Sequence, residues 1–190
     1  MTRPRPRIVV LTAPSGSGKT TIANRVMEAI PELRFSVSAT TRERRPHERD
    51  GVHYHFVSQD AFERLIEEGE MLEYEEVYPG RYYGTLRSEL DRSTDERPVL
   101  LDIDVRGAFN VKKRYGDDAL ILFIRPPSEE ELERRLRERA TEDEGTIRVR
   151  LNRARDELAY VDRADAVVEN DDLEKAVAET LLVIRQFLTS

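Results

Sequence analysis

The sequence has no cysteine and no tryptophan, only three histidines and four lysines, and no apolar run that approaches membrane-spanning length. Without cysteine there is neither a disulfide nor a thiolate metal site, which fits a reducing compartment. The N-terminal T-R-P-R-P-R-I-V-V-L lacks the long apolar region and cleavage site of a signal peptide, so a cytosolic location is expected. A basic excess is missing as well: 31 Lys and Arg stand against 38 Asp and Glu, a formal net charge of −7. Non-specific nucleic-acid binding normally needs a basic footprint, so neither a nucleic acid nor a membrane is expected as a partner. No repeat, low-complexity tract or linker divides the 190 residues, a length that suits one domain with a substantial core. Composition is equally compatible with a monomer and a homo-oligomer.

Scarce lysine points to the most informative stretch. Arg7 to Thr21 reads R-I-V-V-L-T-A-P-S-G-S-G-K-T-T: a buried strand over Ile8 to Leu11, a glycine-rich loop and a helix start. A loop ending Gly16-Ser17-Gly18-Lys19-Thr20 can turn successive backbone N–H groups inward, and the following helix adds the positive end of its dipole. Such a nest suits phosphate oxygens, with Lys19 on the β/γ-phosphates and the Thr20 hydroxyl on Mg2+. The G-x-x-x-x-G-K-[ST] pattern has Ala13 rather than glycine at its first position, a small residue that still permits a tight exit from the strand. Ile22, Val26 and Ile30 continue a helical face after the loop. The chain prefers arginine elsewhere, since 27 of its 31 basic residues are arginine, and a lysine here supplies a compact point charge.

Further along, Phe35-Ser-Val-Ser is expected to begin a strand. Ala39 to Asp50 carries Arg42, Arg44, Arg45 and Arg49 beside Thr40 and Thr41, a plausible second anion site. Val52 to Val57 alternates, which predicts a half-buried strand with Val52, Tyr54 and Phe56 inward and His53 and His55 outward as exposed residues rather than metal ligands. Ser58 or Asp60 caps a helix that Gly69 ends. Glu73 lies between Leu72 and Tyr74, where its carboxylate can turn into a cleft, and Tyr78 to Thr85 reads as a hydroxyl-rich turn. From Pro98, V-L-L-D-I-D-V-R-G reads as a buried strand ending in acids. Ligands of open α/β sheets sit at the carboxyl ends of strands, which places Asp102 and Asp104 near the phosphates and Mg2+.

A second buried strand, Ala119 to Ile124, leads to Ser128 and Glu131, a capping-box pattern. On the helix that follows, Arg135 and Arg139 are four apart and share a face. A polar link from Thr141 to Gly145 precedes another helix with Ile147, Leu151, Ala154 and Leu158 inward and Arg150 near its start. Ala166-Val-Val-Glu reads as a last short strand, and Leu173, Ala176, Val177, Leu181, Ile184 and Leu188 bury the closing helix.

Taken together these segments resemble the guanylate kinase family over nearly the whole chain. A-P-S-G-S-G-K-T-T, F-S-V-S-A-T-T-R-x-x-R-P, E-x-x-G-x-x-Y-x-F-V-S, M-L-E-Y, Y-Y-G-T, L-D-I-D and V-x-N-D-D-L stand in the family's order and spacing. The resemblance implies an α/β P-loop NTPase three-layer fold with a central, mostly parallel sheet and inserted NMP-binding and lid subdomains. The domain would run over 4–188, with core segments 4–37, 97–128 and 156–188, the NMP-binding insertion at 38–96 and the lid at about 129–155. It implies transfer of the γ-phosphoryl of ATP to GMP or dGMP, dependent on Mg2+.

By position, Ala13, Pro14, Ser15, Gly16, Ser17, Gly18, Lys19, Thr20 and Thr21 match the ATP phosphate loop, and Asn170 lies where the adenine is held. Ser38, Glu73 and Thr85 match the residues that bind guanine, and Asp104 matches a further acid of the guanosine site. Arg42, Arg45, Tyr54 and Tyr83 match the residues that hold the acceptor phosphate. Arg135, Arg139 and Arg150 match the lid arginines, and Thr20 with Asp102, through water, matches the metal site. His47, Ala140 and Arg106 depart from the family pattern; the first two lie at hinge-like points and bear on opening and closing rates. The rival readings are a catalytically silent module that binds phosphorylated peptide through Arg42 and Arg45, and a kinase for another phosphorylated acceptor. The intact loop lysine and L-D-I-D acid argue against the first, and Glu73 with Ser38 against the second.

Overall fold

A computed structural model describes residues 6–91, 93–94, 97–138 and 144–190. In chain order the elements are β1 (Ile8–Thr12), α1 (Lys19–Ala29), β2 (Arg34–Phe35), β3 (Ala39–Thr40), β4 (His55–Phe56), α2 (Gln59–Glu67), β5 (Met71–Tyr78), β6 (Arg81–Leu86), α3 (Arg87–Asp91), β7 (Val99–Asp102), α4 (Val105–Tyr115), β8 (Ala119–Arg125), α5 (Glu129–Glu138), α6 (Glu144–Leu158), β9 (Ala166–Glu169) and α7 (Leu173–Thr189). Five strands form a parallel sheet in the order β2-β7-β1-β8-β9.

β1 is central and fully buried, and its alternation feeds two cores. Val9 and Leu11 pack with Ile22 and Val26 of α1 and Ala176 and Ile184 of α7. Ile8 and Val10 pack with Ala108 and Val111 of α4. Helices on both faces are what a parallel sheet with two apolar faces requires. Four strands in the order β4-β3-β6-β5 make a second sheet, with Ala39 and Met71 packed on Phe62 of α2. Ser58 caps α2, accepting from Ala61 N at 3.2 Å, and Gly69 leaves the helix at φ 72°.

The structure corrects several expectations. Tyr78 to Thr85 is not a turn: only Pro79 and Gly80 turn, and Arg81–Leu86 is a strand paired antiparallel to β5. The strand expected over 52–57 shrinks to His55–Phe56, because the chain turns at Gly51 (φ 70°) and leaves Val52 49% exposed. The strand expected from Phe35 to Ser38 ends at Phe35, and Ala39–Thr40 joins the other sheet. β7 stops at Asp102, and Val105 and Arg106, expected in its tail, begin α4. Among the described residues no non-glycine has positive φ, so His47, exposed at a turn, needs none of glycine's freedom. Ala140 lies outside the described residues. No helix among the described residues is long and apolar enough to cross a membrane.

Candidate active site

The loop between β1 and α1 forms the nest its glycines require. Gly16 and Gly18 sit at φ 96° and 86°, and Ser17 N donates to Pro14 O at 3.1 Å. Packing demands glycine as well. A Cβ on Gly18 would lie 2.4 Å from Asn170 Nδ2, and one on Gly16 would lie 2.9 Å from Leu132 Cδ1. Lys19 is the first residue of α1. Its Nζ lies 2.5 Å from Asp102 Oδ1 and donates to Ile103 O at 2.9 Å. The parallel register sets Leu11 beside Asp102, which places the carboxyl end of β7 next to the loop that leads to Lys19.

Across the cleft, Glu73 and Thr85 are direct cross-strand partners on β5 and β6. Thr85 Oγ1 donates to Glu73 Oε1 at 2.7 Å, with both residues buried. Burial pushes the Glu73 carboxyl up to about 7, with Asp104 adding to the effect and the Thr85 hydroxyl opposing it. Asp104 caps α4, accepting from Gly107 N at 2.9 Å. Ser38 and Asp104 join Glu73 on the wall of one cavity of about 320 Å³, which Gly16, Lys19, Thr20 and Arg150 line from the opposite side. The phosphate nest and the buried carboxylate therefore open into one space.

The arginine loop is organised by a residue that the sequence argument passed over. Glu48 is buried and accepts from Arg42 Nη1 and Nη2 at 2.9 and 2.8 Å and from Arg45 N at 2.8 Å. The hydrogen bond from Arg42 holds its carboxyl down at about 2. Arg42 Nε also donates to Tyr83 Oη at 3.2 Å, and the guanidinium lies 5.3 Å from the Tyr54 ring centre. Burial pushes the Tyr54 phenol up to about 12, reinforced by Asp102. The signal for Glu48 was present as the acid that opens E-x-x-G-x-x-Y. Arg45 has an exposed side chain at the loop surface.

On the other flank, Ser128 caps α5 through Glu131 N at 3.1 Å, but the box is only half made. The Glu131 carboxylate turns instead to Arg134 and Arg135, both at 2.7 Å. Arg135 Nη2 also donates to Asn170 O at 3.0 Å. Leu132 and Leu136 of α5 pack with Leu151 and Ala154 of α6. Arg150 of α6 reaches the cavity wall, and Arg139 lies outside the described residues. A second residue the sequence argument missed is Arg153, which donates to Val77 O of β5 at 2.9 Å and pairs with Glu157 at 2.8 Å. The i, i+4 spacing of that pair was legible; the reach to β5 was not.

Not every expected residue lies on the cavity wall. Asn170 is buried, and its Nδ2 donates to Ser17 O at 2.7 Å, bracing the loop from behind. Thr85 stands behind Glu73. Ser17, Thr21, Arg42, Arg45 and Arg135 do not line the cavity. His53 and His55 do not share a strand: His53 precedes β4 and its Nδ1 accepts from Arg49 N at 3.0 Å.

A parallel sheet whose central strand feeds a glycine nest and whose neighbour ends in an aspartate defines a P-loop NTPase fold. The profile of the family described as Guanylate kinase matches residues 5–186. The guanylate kinase of Salinibacter ruber is 61% identical over 187 residues, covering 98% of this chain and 100% of that protein. That of Chlorobium luteolum is 49% identical over 188 residues, covering 97% and 93%. The crystal structure of guanylate kinase from Anaplasma phagocytophilum superposes with a TM-score of 0.81 at 32% identity, covering 99% of this chain and 89% of that one. The chain belongs to the guanylate kinase family.

Proposed function

We propose a division of labour among these residues for the ATP:GMP phosphoryl transfer that family membership assigns to the chain. The observation that carries it is the single cavity joining the Lys19 nest to the buried Glu73 carboxylate. Glu73 reads guanine. A carboxylate accepts from both N1–H and the 2-amino group, whereas adenine offers an acceptor at N1 and no 2-amino group. AMP would leave buried groups unpaired, the mismatch that yields strong discrimination. Ser38 and Asp104 complete this pocket, with Thr85 fixing the carboxylate from behind. Arg42, Arg45, Tyr54 and Tyr83 hold the acceptor phosphate, and dGMP fits the same set.

The nest from Ala13 to Thr21 receives the ATP phosphates, and Lys19 exchanges Asp102 and the Ile103 carbonyl for phosphate oxygens. Thr20 and, through water, Asp102 would hold Mg2+; both are hard oxygen donors, and Mg2+ keeps several of its waters. Bound there, Mg2+ would neutralise charge on the phosphates. Arg135, Arg139 and Arg150 approach from the lid and offset the charge of the transferring group. No general base is needed, because the acceptor phosphate is already anionic. Residues 38–96 act as the acceptor-binding insertion and about 129–155 as the lid, and their closure excludes water that would hydrolyse ATP.

The test is ADP formation from Mg-ATP with GMP, dGMP, AMP, CMP, UMP or no acceptor. Turnover with GMP and dGMP and less than about 1% of that rate with the others is expected. Equal rates with AMP would overturn Glu73 as the reader. Glu48→Gln, isosteric but neutral, weakens the hold on Arg42, so KM for GMP is expected to rise about tenfold while KM for ATP is unchanged. An equal rise in both would show that Glu48 supports the fold and not the acceptor site.

A further inference from the structure

The first turn of α4 crosses the Glu73 carboxylate at closest range at Gly107. A Cβ on Gly107 would lie 2.4 Å from Glu73 Oε2 and 3.0 Å from Glu73 Cδ. Backbone conformation does not explain this glycine, because its φ is not positive. It is the third residue of an eleven-residue helix, where alanine would be favoured by about 1 kcal/mol. What an alanine side chain would meet, and have to displace, is the carboxylate.

Glu73 is pinned from two sides. Oε1 receives the Thr85 hydroxyl, and Oε2 lies against the bare α-carbon of Gly107. Asp104 holds the turn in place by accepting from Gly107 N. The charged groups nearby are Asp104, Glu75 on β5 and Arg106 on α4, the last two paired at 2.7 Å. The positive end of α4 favours negative charge at this spot.

We infer that Gly107 is a specificity-determining position, its missing side chain letting α4 back the Glu73 carboxylate and set the plane in which guanine is read. The inference rests on Glu73 being the guanine reader and deepens that reading. A side chain at 107 pushes the carboxylate out of plane with N1–H and the 2-amino group while leaving the ATP nest untouched.

The test compares Gly107→Ala, Glu73→Ala and the double variant by steady-state kinetics with GMP, with IMP, which lacks the 2-amino group, and with ATP, alongside thermal melting. Gly107→Ala is expected to raise KM for GMP by at least about tenfold and to narrow the preference for GMP over IMP. KM for ATP should stay within about twofold and the melting midpoint should not fall. In the Glu73→Ala background the Gly107→Ala change should add no further loss. A wild-type KM for GMP in Gly107→Ala, with Glu73→Ala impaired, overturns the inference alone. An unimpaired Glu73→Ala overturns the underlying reading. A Gly107→Ala effect that persists undiminished without Glu73 shows that the glycine does not act through the carboxylate. Should Gly107→Ala fail to fold, a folded double variant supports the contact, and an unfolded one overturns it.

Discussion

Lys19→Ala is expected to lower kcat by about three orders of magnitude with the fold intact. Lys19 Nζ sits between Asp102 Oδ1 and the Ile103 carbonyl at the mouth of the nest, so it is the one full positive charge that α1 itself delivers to the phosphates. The fold tolerates its loss because the side chains of Lys19 and Asp102 remain 20% and 17% exposed, and water can solvate the aspartate left behind. The stability change should be modest, because both groups line a cavity that water reaches. Lys19→Arg should fare almost as badly, because a planar fork cannot take the place of a compact ammonium inside the nest. Steady-state turnover and thermal melting decide the matter; near-normal turnover in a folded Lys19→Ala enzyme sinks the phosphate role.

Glu73→Gln carries the second large effect and a distinctive pH signature. Burial, helped by Asp104, pushes Glu73 up to about 7, so near neutral pH about half of the free enzyme carries the charged form proposed to read guanine. On that proposal GMP donates to the charged form and draws the proton off. In the wild type, kcat/KM for GMP is therefore expected to fall about tenfold per unit as pH drops below 7. The second ionisation of the GMP phosphate affects both enzymes alike, so the difference between their profiles isolates Glu73. In Glu73→Gln that difference vanishes and kcat/KM for GMP drops by about 10²–10³, because an amide sets a donor against a donor. The effect on stability has the opposite sign. With the folded value above the ordinary carboxyl value of 4.5, the contribution of Glu73 is full below 4.5 and is lost as pH rises through 7. Glu73→Gln is accordingly expected to melt higher than the wild type at pH 8 while binding GMP worse. A lower midpoint at that pH would show that the buried charge is not under strain.

The elements that were legible in the sequence are those whose signal is local. β1 and β8 are built on the apolar runs at 8–11 and 119–124, Ser58 is the one of the two candidate residues that caps α2, Ser128 caps where its spacing placed it, and α7 shows its apolar stripe along its length. The hairpin strand Arg81–Leu86 was hidden because the tyrosines and arginine that fill it also suit a turn, and only its pairing with β5 decides. Val52 fits an alternating strand in sequence, but Gly51 turns the chain first. At the site, Lys19 and Asp102 were legible from the strand, loop and helix pattern and from the carboxyl end of a buried strand, whereas Ser38 and Glu73 came from the family resemblance; all four line one cavity. Neither source could show that Asn170 braces the loop, that Glu48 holds Arg42 or that Arg153 reaches Val77, because each depends on segments meeting across the fold.

The register of β1 also governs how the enzyme is made. Its hydrogen-bonded neighbours begin at Val99 on one side and Ala119 on the other, so the strand that launches the nest waits for partners about a hundred residues downstream. Contacts of such long sequence separation form late and slowly. During synthesis the glycine loop follows an apolar strand that lacks both of its sheet neighbours until β7 and β8 have emerged. For that interval Ile8–Thr12 is an exposed, unpaired strand of the kind that aggregates, and the arginines and prolines that precede it, of which Pro6 and Arg7 are adjacent, are the type of residue that holds such a segment in solution.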